Sequence, residues 1–258
     1  MLTADTVLVS AGQLAANNAV NQAHANSGHY NMTNTTPYNS RMKTTMRRLP
    51  VYLVLDKSYS MSGEPISAVN QGVQALVDML RQDPFALETV FLSVIEFSTD
   101  AQQTIPLSDL MTFQPPVLTP NGATSLGAAL ALTAERIQQE VQQSTASRKG
   151  DWRPLVFVFT DGYATDDMRQ GVSAIQNVKA ARVVGCAAGE DAGIDDLKGF
   201  ATDVVRLDRN DAESIRAFFA WVSASVSMTS QSIESTGDGS AELPTPPQEI
   251  SIINLSKD

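Results

Sequence analysis

Between residues 46 and 228 of this 258-residue chain, short apolar runs alternate with stretches in which apolar positions recur at helical spacing. Residues 51–55 (Val-Tyr-Leu-Val-Leu) form a continuous apolar run, the pattern of a strand buried on both faces. A helix is predicted over 65–81, with Pro65 in its first turn and Ile66, Val69, Val73, Leu76, Val77 and Leu80 on one stripe. Residues 89–97 read as a second strand, and 102–105, after a turn at 98–100, as a short antiparallel edge strand. A helix over 125–143 carries Leu126, Leu130, Ala134, Ile137 and Val141. There follow a strand at 155–159, a helix at 168–182, a strand at 183–187, a short helix at 195–201 and a strand at 204–207. A last helix, 211–228, turns Ile215, Phe218, Phe219 and Val222 inward. This alternation predicts an α/β fold: a doubly wound, mainly parallel sheet with helices on both faces and one antiparallel edge strand.

The flanks differ in character. Residues 1–45 are rich in Asn, Thr, Ala and Ser with weak periodicity, and read as a flexible extension, with the natural domain beginning near Met46. Residues 229–258 hold five acidic groups against one Lys among many Ser, Thr and Pro, and read as a flexible acidic tail with a strand-like anchor at 250–255. The expected organisation is therefore an extension (1–45), one domain (46–228) and a tail (229–258), the two flanks being dispensable for folding.

Charge and rare residues narrow the function classes. A formal net charge of -10 and a pI of about 4.6 argue against a nucleic-acid partner, because phosphate backbones would repel this surface. The one cysteine, Cys186, excludes an intrachain disulfide and a thiolate cluster. The two histidines, His24 and His29, lie in the polar leader, remote from any zinc site or catalytic triad in the core. No apolar run approaches the length of about 18 residues that a membrane span needs. Residues 1–20 lack the basic leader and sustained apolar stretch of a secretory signal, so a cytoplasmic protein is expected.

In a parallel α/β sheet, ligands collect where loops leave the carboxyl ends of the strands. Three loops bring hard oxygen donors there: Asp56-Lys57-Ser58-Tyr59-Ser60 after the first strand, Asn121-Gly122-Ala123-Thr124 before a helix, and Thr160-Asp161-Gly162 after the strand at 155–159. Taken singly, each has an ordinary explanation. Ser58, Ser60 or Thr124 would cap a helix, and Asn121-Gly122 and Asp161-Gly162 are common turns. Taken together, Asp56, Ser58, Ser60, Thr124 and Asp161 form a candidate Mg²⁺ shell with few carboxylates, leaving the cation able to accept a partner's carboxylate.

These motifs, Asp56-x-Ser58-x-Ser60-Met61, 122–127 (Gly-Ala-Thr-Ser-Leu-Gly) and Thr160-Asp161-Gly162, resemble the metal-ion-dependent adhesion site of von Willebrand factor A domains. The resemblance implies a Rossmann-like sheet, Mg²⁺ (with Mn²⁺ or Ca²⁺ as alternatives) and a protein-binding adaptor that is not an enzyme. The segments 47–56, 63–66, 87–90 and 113–116 are similar to TerY-like proteins of bacterial tellurite-resistance and stress gene neighbourhoods. That narrower likeness implies partners in a phosphorylation system, a protein phosphatase and a protein kinase. Tyr59 stands where glycine is usual, and Lys57 is unusual beside a cation; strand alternation is expected to turn it toward Glu64 or Asp166. The rival class is a metal-dependent hydrolase or phosphatase, which the three loops equip with neither an arginine clamp nor a general base. With one cysteine and strong acidity, nothing here attracts an oxyanion such as tellurite.

Overall fold

The computed structural model describes residues 47–189, 192–236 and 241–253. The leader 1–45, with His24 and His29, lies outside them, as do residues 254–255 of the expected anchor. The described chain folds into strands β1 (Leu49–Asp56), β2 (Val90–Phe97), β3 (Ala101–Asp109), β4 (Leu155–Thr160), β5 (Arg182–Ala188), β6 (Asp203–Leu207) and β7 (Ile250–Ile253). Between them run helices α1 (Glu64–Gln82), α2 (Pro84–Thr89), α3 (Leu126–Glu140), α4 (Arg169–Asn177), α5 (Ile194–Lys198) and α6 (Ala212–Thr236).

The strands form one sheet in the order β3-β2-β1-β4-β5-β6-β7. All pairs are parallel except β2–β3 and β6–β7. β1 is buried along its whole length, and alternation sends its side chains to two cores. Leu49, Val51, Leu53 and Leu55 pack with Val69, Val73 and Leu76 of α1 and Phe218, Phe219 and Val222 of α6. Tyr52 and Val54 pack on the other face with Leu126, Leu130 and Ala134 of α3 and Ile175 of α4. α1 and α6 approach closely because Gly72 faces the Phe219 ring, where a β-carbon would overlap it. After β1 the chain first builds outward through β2 and β3, then crosses back by α3 to place β4 on β1's other side. That reversal makes the carboxyl ends of β1 and β4 a topological switch point, the crevice where open α/β sheets bind ligands.

Five sequence expectations change. Both sheet edges are antiparallel, not one. β3 is nine residues long, with register shifts against β2 and Pro106 on its open edge, where a missing N–H costs no ladder bond. The helix expected over 168–182 ends at Asn177, because 178–181 turn and Ala181 N–H donates to Pro154 O, feeding Arg182 into β5. The boundary expected at 228 falls inside α6, which continues to Thr236 with Thr229, Ser230 and Ile233 buried. The tail is also engaged beyond it: Trp221 Nε1 donates to Pro244 O at 2.9 Å, and Ile250 is buried where β7 joins β6. The short helix α2 escaped periodicity, but its Asp83 cap, accepting from Phe85 N and Ala86 N, is an ordinary start signal.

Candidate metal centre

Asp56 ends β1 fully buried, and the backbone turns at once: Ser58 N–H donates to Asp56 Oδ1 at 2.7 Å, an Asx-type turn. A 3₁₀ turn over Tyr59–Met61 follows, its Met61 side chain buried beneath it. This loop is tied to the second one by Tyr59 N–H to Gly122 O (3.1 Å) and Asn121 N–H to Lys57 O (2.8 Å). Gly122 sits at φ +66°, against Thr99, so both its conformation and its close approach exclude a side chain. Thr124 is joined to the segment after Asp161 at both backbone groups: its N–H donates to Thr165 Oγ1 at 3.1 Å and its carbonyl accepts from Thr165 N at 2.9 Å.

These ties bring the five expected residues together. Asp56, Ser58, Thr124 and Asp161 are buried, while Ser60 is exposed and opens the site to solvent. Ser58 Oγ and Ser60 Oγ lie 2.9 Å apart, and Ser60 Oγ donates to Asp161 Oδ1 at 2.6 Å. A β-carbon on Gly162 would lie 3.5 Å from Thr124 Oγ1 and 3.9 Å from Ser60 Oγ, so both hydroxyls border the glycine. Thr160, the last residue of β4, donates to Asp56 Oδ2 at 2.6 Å. A cavity of about 450 Å³ adjoins the site, lined by Ser60, Asp161, Ala188, Gly189, Asp208, Arg209 and Asn210.

Burial dominates the electrostatics. It pushes the Asp56 carboxyl from an ordinary 3.8 up to about 6, against the hydrogen bonds from Thr160 and Ser58 and with repulsion from Asp161 adding to it. Burial also raises Asp161, opposed by the bonds from Ser60 and Asn210. Lys57 does not reach the partners expected for it. It pairs with Glu96 of β2 at 3.0 Å, because Glu96 lies on the strand directly beside the end of β1. Glu64 instead accepts from Ala212 N at the start of α6, and the Asp166 carboxylate caps α3 through Gly127 N and Ala128 N.

The donor set suits a hard divalent cation: two carboxylates in poor solvation and three hydroxyls, with no sulfur or imidazole. Among the described residues no group of three or more His, Cys, Asp or Glu side chains is placed to hold a metal ion, so the candidate shell here is one of two carboxylates and three hydroxyls. Two contributors were not singled out from sequence. Thr160 belongs to the Thr160-Asp161-Gly162 motif, but only the β1–β4 pairing makes it Asp56's partner. Asn210 donates to Asp161 Oδ2 at 2.8 Å from 49 residues away, and nothing local marks it.

The family model for the von Willebrand factor type A domain matches residues 51–205. Among solved structures, a von Willebrand factor type A protein from Catenulispora acidiphila is similar at 17% identity and TM-score 0.53, over 70% of this chain and 43% of that one. Proximal thread matrix protein 1 of the mussel byssus is similar at 16% identity and TM-score 0.52, over 70% and 48%. The PilB minor pilin of Streptococcus sanguinis is similar at 12% identity and TM-score 0.51, over 70% and 62%. This chain therefore spans less than two thirds of each of those chains. No curated protein matches it by sequence.

Proposed function

The chain belongs to the von Willebrand factor type A domain family, and from that membership we propose that it is a Mg²⁺-dependent protein-binding adaptor rather than an enzyme. The observation that carries the reading is the convergence of Asp56, Ser58, Ser60, Thr124 and Asp161 at the carboxyl ends of β1 and β4, open to solvent at Ser60. Those five residues would hold Mg²⁺, or Mn²⁺ or Ca²⁺ in its place, as a metal-ion-dependent adhesion site. When bound, the cation supplies a positive centre that accepts a carboxylate oxygen from a partner protein. The chain's own residues do the rest. Thr160 and Ser58 N–H orient Asp56, Ser60 orients Asp161, and Glu96 occupies the Lys57 ammonium that would otherwise compete with the cation. Tyr59 and Tyr163, 69% and 64% exposed, flank the site on two of its loops and offer the large, rigid apolar contacts typical of protein interfaces.

The wording of the segments around these loops supports a narrower reading. It is a TerY-like adaptor of a bacterial tellurite-resistance or stress-response phosphorylation system, acting in the cytoplasm on a protein phosphatase and a protein kinase. Among the described residues no helix is long and apolar enough to cross a membrane. Crosslinking in the native cell followed by mass spectrometry tests the reading. Partners recovered in Mg²⁺ should be lost in EDTA and lost again with Thr124→Ala. An identical partner set in all three conditions would mean that binding uses another face. Turnover of phosphoester substrates by the Mg²⁺-loaded protein would instead favour the hydrolase.

A further inference from the structure

The site's three expected loops leave one carboxylate oxygen unaccounted for. Asp161 Oδ1 takes the Ser60 hydroxyl at 2.6 Å, and Oδ2 takes the Asn210 amide at 2.8 Å, from the segment that links β6 to α6. The carboxylate is held at both ends, so rotation about its last bond breaks one contact or the other. Asn210 is not placed there by any other bond of its side chain: its Oδ1 is buried and has no partner. The sense of the amide follows from the same fact, since the reverse orientation would set an oxygen against a carboxylate.

The surrounding backbone is shaped to admit this side chain. β5 ends at Ala188, and Gly189 follows at φ +92°, where a β-carbon would come within 3.3 Å of Asn210 Cβ. Gly189 N–H donates to Leu207 O, which pins the ends of β5 and β6 together directly under Asn210. The neighbours of Asn210 are engaged elsewhere. Arg209, 69% exposed, pairs with Asp211 and Glu213, and Asp211 accepts from Ser214 N at the start of α6. The one hydrogen bond of this half-buried amide, whose buried oxygen goes unpartnered, is the one that holds Asp161.

We propose that Asn210 is a positioning residue of the cation site, a fourth-loop contribution that sets Asp161 toward the cation by donating to its second oxygen. The proposal rests on the Mg²⁺ reading above. Partners that orient a metal ligand typically change metal affinity by about 10- to 100-fold when removed. The test is calorimetric titration of Mg²⁺ into the full chain and into Asn210→Ala, Arg209→Ala, Asp161→Ala and the Asn210→Ala/Asp161→Ala double variant. The double variant is compared with Asp161→Ala by Mn²⁺ titration, read by electron paramagnetic resonance. Asn210→Ala should bind Mg²⁺ about tenfold more weakly with an unchanged thermal midpoint, while Arg209→Ala, which lines the same cavity, binds as the wild type does. The double variant should be no weaker than Asp161→Ala alone. Unchanged affinity in Asn210→Ala, or a further loss in the double variant, overturns the proposal. A wild-type chain that binds no cation removes the Mg²⁺ reading itself, and this inference with it.

Discussion

Replacing Asp56 by Asn should stabilise the metal-free protein at neutral pH while removing its response to Mg²⁺. Asp56 is fully buried at the end of β1, and burial lifts its carboxyl from 3.8 to about 6 despite hydrogen bonds from Thr160 and Ser58. The folded carboxyl thus binds its proton more tightly than the unfolded one. Between pH 3.8 and 6 the folded chain carries more protons, so this group's contribution to stability declines as pH rises through that window and stays lost above it. A shift of this size corresponds to about 3 kcal/mol of destabilisation at pH 7. An asparagine avoids it and keeps the geometry: its oxygen accepts from Ser58 N, and its amide faces Thr160 Oγ1, which then accepts instead of donating. Urea denaturation in EDTA from pH 4 to pH 7.5 reads the difference. The variant should be the more stable by about 1–3 kcal/mol at pH 7, with the gap closing toward pH 4. Mg²⁺ at 100 times its Kd should add about 2.7 kcal/mol to the wild type and almost nothing to the variant. A variant that is less stable at pH 7, or a difference that does not move with pH, would refute the view of Asp56 as a poorly solvated anion awaiting a cation.

Two further outcomes concern the framework. Deleting 241–258 should cost about 3 kcal/mol, from the buried Ile250 and the Trp221 bond, and lower the thermal midpoint by about 10 °C in differential scanning calorimetry. A midpoint within about 2 °C of wild type would mean the tail does not anchor the sheet edge. Gly72→Ala should destabilise by about 1–3 kcal/mol through overpacking against Phe219, read as a lower urea midpoint; an unchanged midpoint would show that α1 and α6 have slack between them.

The sequence by itself determined the features that local pattern encodes. Continuous apolar runs marked β1 and β4 as strands buried on both faces, and helical stripes marked α1, α3 and α6, because burial on one face imposes a period on neighbouring positions. The positions of the five candidate residues were legible for a related reason: each stands within four residues of a strand end or helix start, where local spacing says which edge of the sheet it reaches. Tertiary structure decided what depends on which strands become neighbours. Lys57 pairs with Glu96 only because β1 and β2 lie side by side, and Thr160 meets Asp56 only because β4 takes β1's other side. The strand-like run at 250–255 was legible and contains β7, but its antiparallel pairing with β6 was not, since four residues carry no mark of which edge they join. Asn210 reaches Asp161 across 49 residues, through a glycine at the end of β5 that makes room for it. A hydrogen bond between residues so far apart leaves no periodic trace in either segment, and only the packed sheet brings its two ends within 2.8 Å.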